Sequence, residues 1–145
     1  MPPTSSLGDS VDRVGDEELD GSVFDAVGGE SFFVDLVDGF YAGVSADVLL
    51  RPLYPEDLTD SRRHLAGFLT QYWGGPSTYS AERGHPRLRM RHAPCVIGDA
   101  ERDAWLRHML GSLDAVVAAR GTPVEALARI RAYLTDVADF LVNTR

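Results

Sequence analysis

The side chains with chemistry to offer are few: His64, His85, His92 and His108, the single Cys95, and aromatic residues that include Tyr41, Tyr54 and Trp105. Neutral imidazole can ligate a metal or move a proton near neutral pH. A lone histidine is nevertheless more often structural than a ligand, so its surroundings must decide. Two of the four lie in Gly84-His85-Pro86-Arg87-Leu88-Arg89-Met90-Arg91-His92-Ala93-Pro94, where two prolines fence seven residues and arginines at 83, 87, 89 and 91 crowd the histidines. Pro86 can open a helix, because its missing N–H would be unpaired in a first turn, whereas Pro94 pushes Ala93 out of the helical region. The segment therefore reads as a very short helix that ends at His92.

One cysteine excludes an intramolecular disulfide and a cysteine-based zinc site, and it agrees with a reducing compartment. No phosphate-cradling glycine loop, paired zinc spacing or nucleophile elbow is present. The net charge of −8 is uneven, for six acids lie between Asp9 and Asp20 against Arg13 alone. No lysine occurs, so every basic contact must be a guanidinium, suited to forked binding of carboxylate or phosphate. The arginine patch does not make a nucleic-acid binder, because the surrounding domain is acidic and no recognition module appears.

These residues need elements to hold them. Residues 1–21 carry too few apolar groups to offset ordering entropy and read as an acidic, disordered extension, leaving one domain over 22–145. Ser22 is expected to cap a short helix that Gly28-Gly29 stops. Phe32, Phe33, Leu36, Val37, Phe40, Tyr41 and Val44 recur at helical spacing and predict an amphipathic helix. Pro52 and Pro55 make a rigid corner around Tyr54. A helix over 58–73 presents Leu58, Leu65, Phe68, Leu69 and Tyr72 on one face, and Ser77 to Pro86 reads as a long loop. Asp99 is the expected N-cap of a helix carrying Trp105, Met109 and Leu113. Thr122 and Glu125 form a capping box for a last helix to about Val142, with Leu127, Ile130, Leu134, Val137 and Leu141 inward. The class is all-α, with no sustained strand alternation. No apolar run reaches the roughly 18–20 residues of a membrane span and no signal pattern opens the chain, so a cytoplasmic protein is expected.

Several runs together resemble the truncated haemoglobins, specifically their group II. They are Phe40-Tyr41-Ala42, Leu53-Tyr54-Pro55-Glu56-Asp57, Gln71-Tyr72-Trp73-Gly74-Gly75-Pro76, Tyr79-Ser80, Arg83 to Pro94, and Glu101-Arg102-Asp103-Ala104-Trp105-Leu106. The resemblance covers roughly Ser22 to Asn143. It implies a shortened globin fold, two helices crossed over two others, enclosing haem b (iron protoporphyrin IX).

On this resemblance His92 is the iron ligand, Arg91 the natural partner of a haem propionate, and His85 a turn residue. Tyr41 and Trp105 match the distal tyrosine and tryptophan, and Tyr54 matches the aromatic corner residue that joins them. Ser61 falls where ordinary globins place a distal histidine and leaves room for a ligand. His64, a turn later, reads as a propionate contact. Leu65, Phe68, Leu69, Tyr72, Tyr79, Leu88, Val96 and Met109 are expected to line the haem faces or edge. Cys95 stands where the family more often has an aromatic residue.

The implied function is binding of dioxygen or other diatomic ligands for transport or scavenging. The alternative is a peroxidase-like or nitric oxide dioxygenase enzyme, which needs an external electron-donating reductase because this chain has no flavin or nicotinamide domain. A homodimer is the other partner considered; nucleic acid and membrane are not expected.

Overall fold

A computed structural model describes residues 21–84 and 86–144. The acidic extension, apart from Gly21, and the turn role read for His85 lie outside the described residues. Among those residues there are seven α-helices and one 3-10 turn: α1 Gly21–Ala26, α2 Glu30–Ser45, the 3-10 turn Arg51–Leu53, α3 Thr59–Tyr72, α4 Thr78–Arg83, α5 Leu88–His92, α6 Asp99–Arg120 and α7 Val124–Phe140. Helix α2 packs across α6 and against α3, and α6 packs against α7. The all-α, two-over-two arrangement is the one expected. None of these helices is long and apolar enough to cross a membrane.

The α2 stripe buries all seven of the residues that its periodicity singles out. Its opposite requirement is closeness. A Cβ on Gly39 would stand 2.2 Å from Ser112 Oγ, and one on Gly43 would stand 2.3 Å from His108 Nδ1. Two turns of α2 thus lie directly on α6 because these positions carry no side chain, and the Ser112 hydroxyl fills the contact by donating to Leu36 O at 2.7 Å.

Five local readings are corrected. The long loop after Gly74-Gly75-Pro76 contains α4, which is nucleated by tertiary contacts: the Gln71 carboxamide accepts Ser80 N–H at 2.9 Å and donates to Ser80 Oγ at 2.7 Å, while Tyr79 packs edge-on against Phe68. Pro86 does not open α5; Arg87 intervenes in the left-handed region at φ 47°, and the helix starts at Leu88. Asp99 is the first residue of α6 instead of its cap, with Gly98 at the cap and its N–H donated to Glu101 Oε1 at 2.8 Å. The Thr122 capping box does not form, for Pro123 takes the cap position and Thr122 Oγ1 is buried without a hydrogen-bond partner. Helix α7 also stops at Phe140, because Asn143 and Thr144 turn back to donate their N–H groups to Ile97 O at 2.9 and 3.1 Å.

Candidate functional site: a haem-sized cavity

A cavity of about 300 Å³ opens among α2, the Tyr54 corner, α3, α4, α5, α6 and α7. This falls within the usual range for a small-molecule site, roughly 300–1,000 Å³. Of the residues expected around a haem, it gathers Tyr41, Tyr54, Ser61, His64, Leu65, Phe68, Leu69, Tyr79, Leu88, Arg91, His92 and Trp105.

His92 is the last residue of α5, and its Nδ1 lies 2.8 Å from Leu88 O. A carbonyl can only accept, so the proton sits on Nδ1 and Nε2 keeps its lone pair. The bond fixes the ring and increases the basicity of Nε2, as the outer hydrogen bond of a metal-bound histidine commonly does. Among the described residues no three His, Cys, Asp or Glu side chains converge on a metal position. An iron held here would take His92 as its protein ligand and would need a macrocycle to supply its remaining donors.

The same cavity receives three buried or half-buried donors from three elements. Tyr41 is 3 % exposed, and its hydroxyl pairs with that of Ser61. Burial, only partly offset by Ser61 and by the charge of Arg62, pushes the phenol up to about 12. Tyr54 is pushed up as well, by burial first and then by neighbouring Tyr41 and Cys95, while the indole N–H of Trp105 pairs with its hydroxyl. Both phenols thus remain neutral donors near physiological pH. Edge-to-face contacts lock the cluster, with Tyr41 and Tyr54 at 5.5 Å, Phe40 and Tyr41 at 4.9 Å, and Phe40 and Trp105 at 5.4 Å between ring centres.

At the polar edge the assignment of the arginines changes. Arg91 lines the cavity, but its Nε donates to Pro86 O at 2.7 Å and its Nη2 to Arg83 O at 2.9 Å, so it braces the turn before α5. Arg83, which the sequence places only in the arginine patch, is half-buried in the cavity wall with Nη1 against the His64 ring, and its buried Nε has no hydrogen-bond partner. Burial, and then the charges of Arg83 and Arg63, hold His64 below its ordinary pKa. A neutral His64 beside a guanidinium with an unused N–H suits a carboxylate such as a propionate. The donor set, the hydrogen-bonded His92 and the cavity all fit haem.

Three expected lining residues are elsewhere. Tyr72 turns to stack on Tyr133 at 4.1 Å, Val96 is 61 % exposed, and Met109 is fully buried in the core. In exchange α7 contributes Tyr133, Leu134 and Val137 to the wall, and Leu141 just after it joins them. The sequence marks three of these four as inward, but a core stripe and a cavity wall share the same period. Nothing in the spacing singles out Tyr133.

Residues 22–139 match the model of the family described as bacterial-like globin. The chain is 48 % identical over 88 residues to a group 2 truncated haemoglobin of Bacillus subtilis, covering 61 % of this chain and 67 % of that one. Among solved structures, the haemoglobin of the thermophilic phototroph Chloroflexus aurantiacus superposes with a TM-score of 0.79 at 49 % identity, covering 83 % of this chain and 97 % of that one. A truncated oxygen-avid haemoglobin of Bacillus subtilis superposes with a TM-score of 0.76 at 40 % identity, over 83 % and 98 % of the two chains. With the helical order, the cavity that holds His92 and these likenesses in agreement, the chain belongs to the bacterial-like globin family, as a truncated haemoglobin of group II.

Proposed function

We propose that this chain holds haem b on His92 and binds dioxygen, or another diatomic gas, beside Tyr41, Tyr54 and Trp105. Haem b is the cofactor of the family to which the chain belongs. When bound, ferrous haem supplies an iron with one open position and electron density that a dioxygen ligand draws towards itself. The chain does the rest. His92 offers Nε2 because Nδ1–H is committed to Leu88 O. Tyr41, Tyr54 and Trp105 direct neutral O–H and N–H donors into the cavity, where a partly negative ligand accepts them. Ser61, a small residue, leaves the space that a distal imidazole would fill. Arg83 and His64 hold the propionate edge.

One observation carries this reading: a histidine whose Nδ1–H is committed to a backbone carbonyl shares a cavity with three buried or half-buried hydroxyl and indole donors. The oxygen-avid description of the Bacillus subtilis relative supports gas binding as the role. The test is reconstitution with haem b. The parent protein is expected to give a ferrous Soret spectrum of a histidine-ligated haem, and His92→Ala to lose it. An unchanged spectrum in His92→Ala refutes the assignment and makes His64 the next ligand to remove.

A further inference from the structure

We propose that Asp47 and His108 are positioning residues that set the register between the two elements carrying Tyr54 and Trp105. The proposal rests on the haem and gas-binding reading above. Tyr54 comes from the corner after α2 and Trp105 from α6, so how the two side chains sit beside one another in the cavity depends on how corner and helix are joined. Asp47 joins them. Its Oδ1 accepts the N–H groups of Leu49 and Leu50 at 2.8 and 3.1 Å, while its Oδ2 takes His108 Nε2 at 2.7 Å and Arg107 Nη2 at 3.2 Å.

Each side of this strut is rigid. On the corner, Arg51 N–H donates to Asp47 O, Leu53 N–H to Leu50 O and Tyr54 N–H to Arg51 O. The Arg51 guanidinium then donates to Tyr54 O, Pro55 O and Glu56 O at 3.3, 2.9 and 2.8 Å. A displacement at Asp47 is therefore passed seven residues along to Tyr54 without slack. On α6, His108 lies three residues after Trp105, within one turn on the same side. Its ring is seated against α2 at Gly43, where a Cβ would stand 2.3 Å from Nδ1. The carboxylate is 9 % and the imidazole 21 % exposed, so water competes weakly for this contact, whereas Arg107 is 66 % exposed and adds little.

The test uses His108→Ala, which removes the strut and leaves the Asp47 caps, with His108→Gln as the conservative variant that can still donate to Asp47. In the apoprotein, the Trp105 indole N–H, assigned by comparison with Trp105→Phe, is expected to exchange with solvent at least several-fold faster in His108→Ala and at near-parent rate in His108→Gln. In the haem-loaded protein, His108→Ala is expected to speed oxygen dissociation about threefold or more, and that acceleration should vanish when Tyr54 is already Phe. Indole exchange and oxygen dissociation at parent values in His108→Ala, or an acceleration that persists undiminished beside Tyr54→Phe, overturns the proposal. The haem reading fails separately, through an unchanged spectrum in His92→Ala.

Discussion

Replacing Tyr41 with Phe removes one hydroxyl and keeps the ring. The contacts with Phe40 at 4.9 Å and Tyr54 at 5.5 Å hold the ring in place, so the perturbation is confined to one donor. Ser61 loses its phenolic partner, and a diatomic ligand loses one neutral hydrogen bond. Such a bond contributes about 0.5–1.5 kcal/mol, which corresponds to roughly two- to thirteen-fold in an equilibrium. Because the hydroxyl acts on the bound gas more than on its approach, most of that factor should appear in the dissociation rate. Stopped-flow oxygen dissociation from the ferrous protein is the assay. With the phenol pushed up to about 12, Tyr41 keeps its proton, and the ratio of variant to parent should stay flat from about pH 7 to about pH 10. A ratio within twofold of unity refutes the donor role. A ratio that collapses below about pH 10 refutes the reasoning about burial.

Three further outcomes are expected. Arg83→Gln should hasten haem transfer to an acceptor apoglobin more than Arg91→Gln, since only Arg83 has a buried N–H unused; equal effects would return the propionate to Arg91. Gly39→Ala places a Cβ 2.2 Å from Ser112 Oγ and should cost about 1–3 kcal/mol in chemical denaturation, so an unchanged midpoint would contradict the close crossing of α2 and α6. Asp47 is held at about 2, below its ordinary 3.8, chiefly by the His108 hydrogen bond and then by Leu50 N–H, so its contribution is complete above pH 3.8 and fades as pH falls through about 2. Urea unfolding of Asp47→Asn should accordingly have a shallower acid limb across that window than the parent, and superimposable limbs would count against the strut.

What was legible in the chain depended on repetition. Helix α2 declares itself because seven apolar residues recur at one period, and all seven are buried. Helix α4 does not, because six residues with Tyr79 as their buried member have no period; its folding signal is the Gln71 carboxamide, nine residues before Ser80. The distal trio shows the same limit. Tyr41 and Trp105 at helical spacing read as plain core, and only the resemblance to a family separates a donor from a packing residue. Val96 and Met109 do not line the cavity because an apolar type says nothing about which way a residue faces, so one is exposed and the other is in the core. The partners of the arginines were hidden for an electrostatic reason. A guanidinium can satisfy itself on carbonyls, as Arg91 does on Pro86 and Arg83, and no sequence pattern records those carbonyl positions.

The helix that presents His92 has five residues, follows a residue with φ 47° and has no side-chain cap at its start. Isolated helices shorter than about 12–15 residues are marginal in water, so α5 does not persist on its own propensity. It is closed by attachments from outside: Leu88 buried in the core, Arg91 tied to Pro86 and Arg83, and Asn143 Nδ2 donating to Cys95 O at 2.9 Å just beyond it. Amide exchange in the apoprotein should find α5 opening well before the α2 and α6 amides, as the least protected cooperative unit near the site. If haem is held on His92 as proposed, its capture would be partly a folding reaction, and release of the cofactor and fraying of this single turn would be two views of one event.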